Sequence, residues 1–358
     1  MVVLAKGELE QIALPAAQSP PANVQAVDLS SARRSGPGRA AAARALVAAC
    51  EEQGFFKVTG HGVAPALVRA LDAAAAAFFA LPQAEKEAAA GRPVGYASKR
   101  IGTAGDLGWI EYLLLCVAPG AGQALPVPAS ASFSTLPCAA AAAAAAASLS
   151  GSEPESSCPL RGLLEEYAAA LRRMACEVLE LMAEGLGLAP SDAISRLVSD
   201  GGSDNMLRVN HYPPRPELQA GKNQLLTGFG EHTDPQIISV LRSNGTSGLE
   251  IASPRDGAWA SVPPDADSFF INVGDVLQVL TNGRFRSVKH RVVVNSERPR
   301  MSMIFFGGPP PGERLAPLRE LLGDDGGRSR YREFTWKEYK STGCRGRLAE
   351  DRLCLFEN

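Results

Sequence analysis

The stretch GFGEHTDPQII, beginning at Gly228, sets a histidine two residues before an aspartate in a β-friendly context. In a strand, residues i and i+2 share a face, so His232 and Asp234 present an imidazole and a carboxylate to one point while Thr233 turns away. Alone, this spacing is weak evidence, because a turn histidine beside a capping aspartate gives the same pattern. A second stretch, SVKHRVVV, strengthens it. Its alternation puts Val288, His290 and Val292 on one face and Lys289 and Arg291 on the other, so His290 is carried inward among apolar neighbours and needs a partner. Two histidines and one carboxylate on the strands of one barrel form the facial set that holds non-haem Fe(II) and leaves coordination positions open for oxygen chemistry.

RMSMIFF supplies a third piece. Arg300 and Ser302 share a face with Ile304, and Met301, Met303 and Phe305 share the other. A guanidinium pointing into a barrel is costly unless an anion pairs with it, and its planar fork suits a carboxylate. A dicarboxylate co-substrate would place its far carboxylate on Arg300 and Ser302 while its 2-oxo acid end chelates the iron. In RVNHYPP, Asn210 and Tyr212 face together, and Tyr212 would donate its phenol to the same carboxylate. His211 points away and is read as structural, as is His61 in the Gly60-His61-Gly62 turn.

These residues need elements to position them. At 358 residues and 46% hydrophobic, the chain has enough apolar material for a large core. From Met206 onward come MLRVNHY, TGFGEHTD, IISVLRS, GLEIA, WASV, SFFINVGDVLQVLT, FRSVKHRVVVN and RMSMIFFGG, separated by turn signals such as PP, NG and SPRDG. Short strands at that spacing predict a double-sheet jelly roll or barrel. Upstream, VQAVDLS and FFKVTGHGV read as strands, and Arg39 to Gln53 and PALVRALDAAAAAFFALPQAEKEAAA read as helices. Leu160 to Leu188 has helical apolar spacing and predicts one long backing helix; EFTWKEYKSTGCRGRLAEDRL returns to helix. The fold class is therefore α+β, a double-stranded β-helix with supporting helices. The expected divisions are a mixed N-terminal region over 1–117, an alanine- and serine-rich low-complexity insertion over 118–159, the backing helix over 160–200, the catalytic core over 201–311 and a helical C-terminal segment over 312–358.

Net charge is −2 with both signs well mixed, which argues against a nucleic-acid partner. MVVLAKGELEQIALP lacks the apolar run of a signal peptide, and neither a membrane span nor a lipid anchor is expected, so a cytoplasmic location is, with entry to the nucleus by diffusion. The seven scattered cysteines contain no C-x-x-C pair and read mostly as free thiols.

The set His232-x-Asp234, His290 and Arg300-x-Ser302, with NHYPP upstream and GDVLQVLTNGRFRSVKHRV between, resembles the plant 2-oxoglutarate and Fe(II)-dependent dioxygenases, and the likeness runs from GFFKVTGHGV to nearly the end. GFGEHTDPQIISVLRSNGTSGLEI and GYASKRIGTAGDLGWIEYLLL are more specific and resemble the gibberellin 2-oxidases. The resemblance implies Fe(II), 2-oxoglutarate and O2, with ascorbate as activator, and 2β-hydroxylation of nineteen-carbon gibberellins, which inactivates the hormone. The long alanine- and serine-rich stretch departs from the family pattern. A rigid, mostly apolar acid calls for a hydrophobic wall and one cation. Gly95 to Leu115 offers Tyr96, Ile101, Trp109, Tyr112 and Leu114 for the wall and Arg100 or Lys99 for the cation, although Trp109 and Tyr112 as core and Arg100 as surface charge is an equal reading. The rival functions are a gibberellin 3- or 20-oxidase, a flavonoid oxidase and, from another class, a non-catalytic jelly-roll binding module.

Overall fold

The computed structural model describes residues 2, 4–15, 19–34, 36–89, 95–101, 105–117, 159–215, 224–322, 327–343 and 347–358. The expected insertion, up to residue 158, lies outside them. Two curled sheets form the frame. Their strands are β1 (Ala13–Pro15), β2 (Ala26–Asp28), β3 (Phe55–Thr59), β4 (Gly95–Ile101), β5 (Asp106–Cys116), β6 (Met206–Tyr212), β7 (Gln224–His232), β8 (Ile238–Ser243), β9 (Leu249–Ala252), β10 (Trp259–Ser261), β11 (Phe269–Val273), β12 (His290–Val293) and β13 (Arg300–Gly307). The major sheet runs β2-β3-β11-β8-β13-β6-β5-β4 and the minor sheet β1-β7-β12-β9-β10. From β6 to β13 the chain passes back and forth between them, the winding of a double-stranded β-helix.

Alternation along the strands sorts side chains between two cores. Leu207 and Val209 of β6, Val240 of β8, Ile271 of β11 and Met301, Met303 and Phe305 of β13 leave the major sheet on its outer face. There they meet the helix Pro159–Leu186, whose Leu164, Tyr167, Leu171, Met174, Val178 and Met182 recur every three or four residues and are buried. Each such side chain contributes roughly 1.5–3 kcal/mol by leaving water, which is why this helix and sheet form a rigid backing. The inner face carries Tyr212, Leu241, Phe270 and Ile304, which pack with Phe229, Leu249 and Val292 of the minor sheet.

Two segments depart from the sequence expectation. SFFINVGDVLQVLT is a strand only to Val273; Asp275–Leu280 is a helix. Gly274 forces the change by lying against the neighbouring chain, where a Cβ would stand 1.9 Å from the Gln236 carbonyl oxygen, and the Asp275 backbone N–H donates to the Asp234 carbonyl at 2.8 Å. In FRSVKHRVVVN the strand is only His290–Val293. Before it, side chains replace the ladder: the Phe285 N–H donates to Thr281 Oγ1 and the Ser287 N–H to Gln278 Oε1. The helical stretch after His61 is broken at Leu81-Pro82 into Pro65–Ala80 and Gln83–Ala89. Among the described residues Cys50, Cys176 and Cys354 are free thiols, whereas Cys116 is disulfide-bonded. No described helix is long and apolar enough to cross a membrane.

Candidate active site

His232 ends β7 and His290 begins β12, and antiparallel pairing sets the two residues directly opposite each other. Their rings lie on one face with centroids 4.2 Å apart. Asp234 follows two residues after His232, and its Oδ1 stands 3.6 Å from His232 Nε2 and 3.7 Å from His290 Nε2. One potential ligand atom from each of the three side chains falls within a 4.8 Å cluster.

Hydrogen bonds prepare each atom for a cation. His232 Nδ1 lies 2.9 Å from the Gly230 carbonyl and His290 Nδ1 3.3 Å from that of Val288. A carbonyl only accepts, so each Nδ1 carries a proton, and the neutral tautomer this selects has its Nε2 lone pair turned inward. Burial, reinforced by the neighbouring His290, holds His232 well below the ordinary imidazole value, so it is neutral, as a ligand must be. Asp234 Oδ2 accepts from Ser239 Oγ at 2.6 Å and Asn272 Nδ2 at 3.0 Å, leaving Oδ1 free toward the imidazoles. Burial opposes ionisation of this carboxyl, and the hydrogen bonds donated by Ser239 and Asn272 favour the ionised form against it. Behind it, buried Asp275 accepts from Tyr339 Oη at 2.5 Å and Thr233 Oγ1 at 3.1 Å, bracing the turn that carries Asp234.

Arg300, 2% exposed, enters the same cavity from β13. Its Nε and Nη1 are buried without any hydrogen-bond partner. Ser302 follows two residues later, paired with Asn210 across β6, and Arg300 is paired with Tyr212. Burial pushes the Tyr212 phenol up, so it remains a donor. An orphaned guanidinium beside a hydroxyl, an amide and a phenol has the shape and sign of a carboxylate socket. Two imidazole nitrogens and one carboxylate oxygen on the same cavity are a donor set that fits Fe(II).

The substrate wall expected from Gly95 to Leu115 is corrected in part. That segment forms the β4-β5 hairpin at the edge of the major sheet. Tyr96 faces the outer core and donates to Glu111 Oε2 at 2.7 Å. Trp109 belongs to a third core cluster and donates Nε1 to the Pro213 carbonyl at 2.9 Å. Neither lines the cavity, because their strand parity turns them away from it. Arg100 is exposed and does not line the cavity; its backbone carbonyl accepts from Tyr112 Oη at 3.4 Å. Tyr112 and Ile101 do face the inner core. Gly228 makes room for Tyr212, whose ring a Cβ there would meet at 2.7 Å. Sequence reasoning missed Arg208, which lines the cavity; its signal was the same two-residue step that joined Asn210 to Tyr212.

A two-histidine, one-carboxylate cluster on the inner face of a double-stranded β-helix, opposite an unpaired arginine, defines the class of 2-oxoglutarate- and Fe(II)-dependent oxygenases, which also use O2. Residues 203–309 match the 2OG-Fe(II) oxygenase superfamily model, and residues 24–123 match the model described as the N-terminal region of the non-haem dioxygenase in morphine synthesis. The crystal structure of a dioxygenase for auxin oxidation from rice superimposes with a TM-score of 0.69 at 28% identity, covering 94% of this chain and 100% of that one. A gibberellin 2-beta-dioxygenase 1 of Pisum sativum is 51% identical over 313 residues, 87% of this chain and 86% of the relative. The gibberellin 2-beta-dioxygenase 1 of Arabidopsis thaliana is 48% identical over 317 residues, 87% of this chain and 88% of the relative. The chain belongs to the gibberellin 2-beta-dioxygenase family.

Proposed function

We propose that this enzyme hydroxylates carbon 2 of nineteen-carbon gibberellins on the β face, with 2-oxoglutarate as co-substrate, and so inactivates the hormone. The observation that carries the reading is the cavity in which Asp234 Oδ1 and two inward Nε2 atoms face an orphaned Arg300, in a chain of this family. His232, Asp234 and His290 would hold Fe(II). Arg300 and Ser302 would bind the far carboxylate of 2-oxoglutarate, with Tyr212 donating to it and Asn210 orienting the phenol.

When bound, Fe(II) supplies the activation of dioxygen that couples decarboxylation of 2-oxoglutarate to insertion of one oxygen atom into a C–H bond. The chain's own residues set the geometry. The Nδ1 hydrogen bonds to Gly230 and Val288 fix the tautomers. Ser239 and Asn272 hold the Asp234 carboxylate by Oδ2, so Oδ1 would be the atom offered to the ion. The apolar walls from Phe229, Leu241, Leu249, Val292 and Ile304 exclude water from the reacting C–H bond. The proposed partner is therefore one small diterpenoid acid.

Incubation of the protein with Fe(II), ascorbate, 2-oxoglutarate, O2 and a panel of gibberellins tests this. A product one oxygen heavier, hydroxylated at carbon 2 and matched by one succinate per turnover, is expected. A hydroxyl delivered to carbon 3, or oxidation at carbon 20, would transfer the chain to a sister activity. No carbon dioxide from 2-oxoglutarate under any condition would leave only a binding module.

A further inference from the structure

Arg208 sits on the inner face of β6, four residues before Tyr212, and its strand partner on β13 is Ile304. At about 3.3 Å per residue its station lies roughly 13 Å along the sheet from that of Arg300. The two arginines thus enter the same cavity from well-separated stations on the sheet. Its guanidinium carbon lies 3.8 Å from the Tyr112 ring centroid and 4.9 Å from that of Phe229, and its Nε donates to Asn210 Oδ1 at 2.8 Å. The two rings, one from each sheet, fix the plane of the fork. Nη2 is sealed from solvent and has no hydrogen-bond partner. Among the described residues neither Arg208 nor Arg300 has a carboxylate within ion-pair distance, although nearly every other buried cation does, as Lys86 with Glu111 and Arg242 with Asp72 show.

A buried guanidinium with an unused donor is a standing cost unless an anion arrives. Two such groups in one cavity call for two anions, and charge decides what the second must be. With the ion bound, its two positive charges meet one negative from Asp234 and two from 2-oxoglutarate, and Arg300 then brings the cavity to neutrality. Arg208 leaves one positive charge over. A substrate with a single carboxylate cancels it, whereas a neutral substrate does not.

We propose that Arg208 binds the carboxylate of the prime substrate and is the residue that makes this cavity select an acid over its neutral analogues. The assignment rests on the gibberellin reading above and moves the recognising cation from the exposed Arg100 on β4 to the inner face of β6. The anchored fork would set the distance from the carboxylate to the metal cluster, and with it the ring carbon that faces the cluster.

Equilibrium titration of a nineteen-carbon gibberellin, and separately its methyl ester, into the Fe(II)- and 2-oxoglutarate-loaded protein without oxygen reads this apart from turnover. The native protein should bind the acid ~30- to 100-fold more tightly than the ester, the size of a lost charge-assisted pair. Arg208→Gln should erase that preference by weakening the acid alone, Arg208→Lys should recover part of it, and the affinity for 2-oxoglutarate should move less than about threefold. If Arg208→Gln instead weakens 2-oxoglutarate by tenfold or more, the arginine serves the co-substrate and the proposal fails. It fails equally if Arg100→Ala removes the preference and Arg208→Gln keeps it. A native protein that binds neither acid nor ester overturns the gibberellin reading and this inference with it; one that binds both, with the preference surviving in Arg208→Gln, overturns this inference alone.

Discussion

Strand β6 presents His211 on one face of the major sheet and Arg208, Asn210 and Tyr212 on the other, and the two faces treat buried charge in opposite ways. On the outer face Glu111, 2% exposed, accepts from Lys86 Nζ at 2.5 Å and Tyr96 Oη at 2.7 Å, and its other oxygen lies 2.8 Å from His211 Nδ1. Phe79 stacks on His211 with centroids 5.0 Å apart. Every strong polar atom of that carboxylate is used. On the inner face Arg300 Nε and Nη1 and Arg208 Nη2 are buried and unused. A satisfied cluster ties helix Gln83–Ala89 and strands β4, β5 and β6 together and is structure; an unsatisfied one is a cavity shaped for molecules that come and go.

Substitutions on the two faces should therefore separate activity from stability. The largest effect is expected from Asp234→Ala, which removes the carboxylate of the proposed ligand cluster; product formation should fall about a thousandfold or more, measured alongside Fe(II) affinity. Retention of full turnover would break the assignment. Next, Glu111→Ala leaves Lys86 buried without its partner and should cost about 3–5 kcal/mol, seen in the denaturant midpoint, with the KM for 2-oxoglutarate within threefold of native. A large KM change with intact stability would make the outer cluster part of the site. Arg300→Gln should do the reverse, raising that KM by ~30- to 100-fold while the ligand-free protein melts no lower than native, because an uncompensated buried cation has gone.

Acid sharpens the contrast further. Burial pushes Glu111 up, but hydrogen bonds from His211, Lys86 and Tyr96 outweigh it and bring the carboxyl down from 4.5 to about 2. Its stabilising contribution is present above pH 4.5 and is lost as pH falls toward about 2. Glu111→Gln should flatten that part of the stability profile in an acid titration of the ligand-free protein. The smallest effect is expected from Tyr96→Phe, which deletes one of the hydrogen bonds to Glu111 and should cost about 1–2 kcal/mol with no change in substrate affinity. A raised KM there would restore Tyr96 to the substrate wall.

Much of the site was legible because β periodicity is simple. Arg300 and Ser302 inward, Met301, Met303 and Phe305 outward, follows from a period of two, and both sets stand where that period puts them. The same rule would have found Arg208 one step before Asn210. It did not resolve Gly95 to Leu115, since the parity of a hairpin against a sheet depends on its register with β6, and the register shifts between Ser98 and Arg100. Tyr96 thus faces the outer core and Tyr112 the inner one. Nor did it foresee Ser239 and Asn272 on Asp234: the first lies five residues on, beyond a turn into β8, and the second 38 residues away on β11.

By itself, the sequence determined which residues can ligate, which strands alternate and which helix backs the sheet, because those properties depend on residue type and local period. The tertiary structure alone decided which buried groups are paired and which are left waiting. Pairing is a contact between distant segments: Glu111 found Lys86 and His211, while Arg208 and Arg300 found no carboxylate, and that difference separates the scaffold from the site.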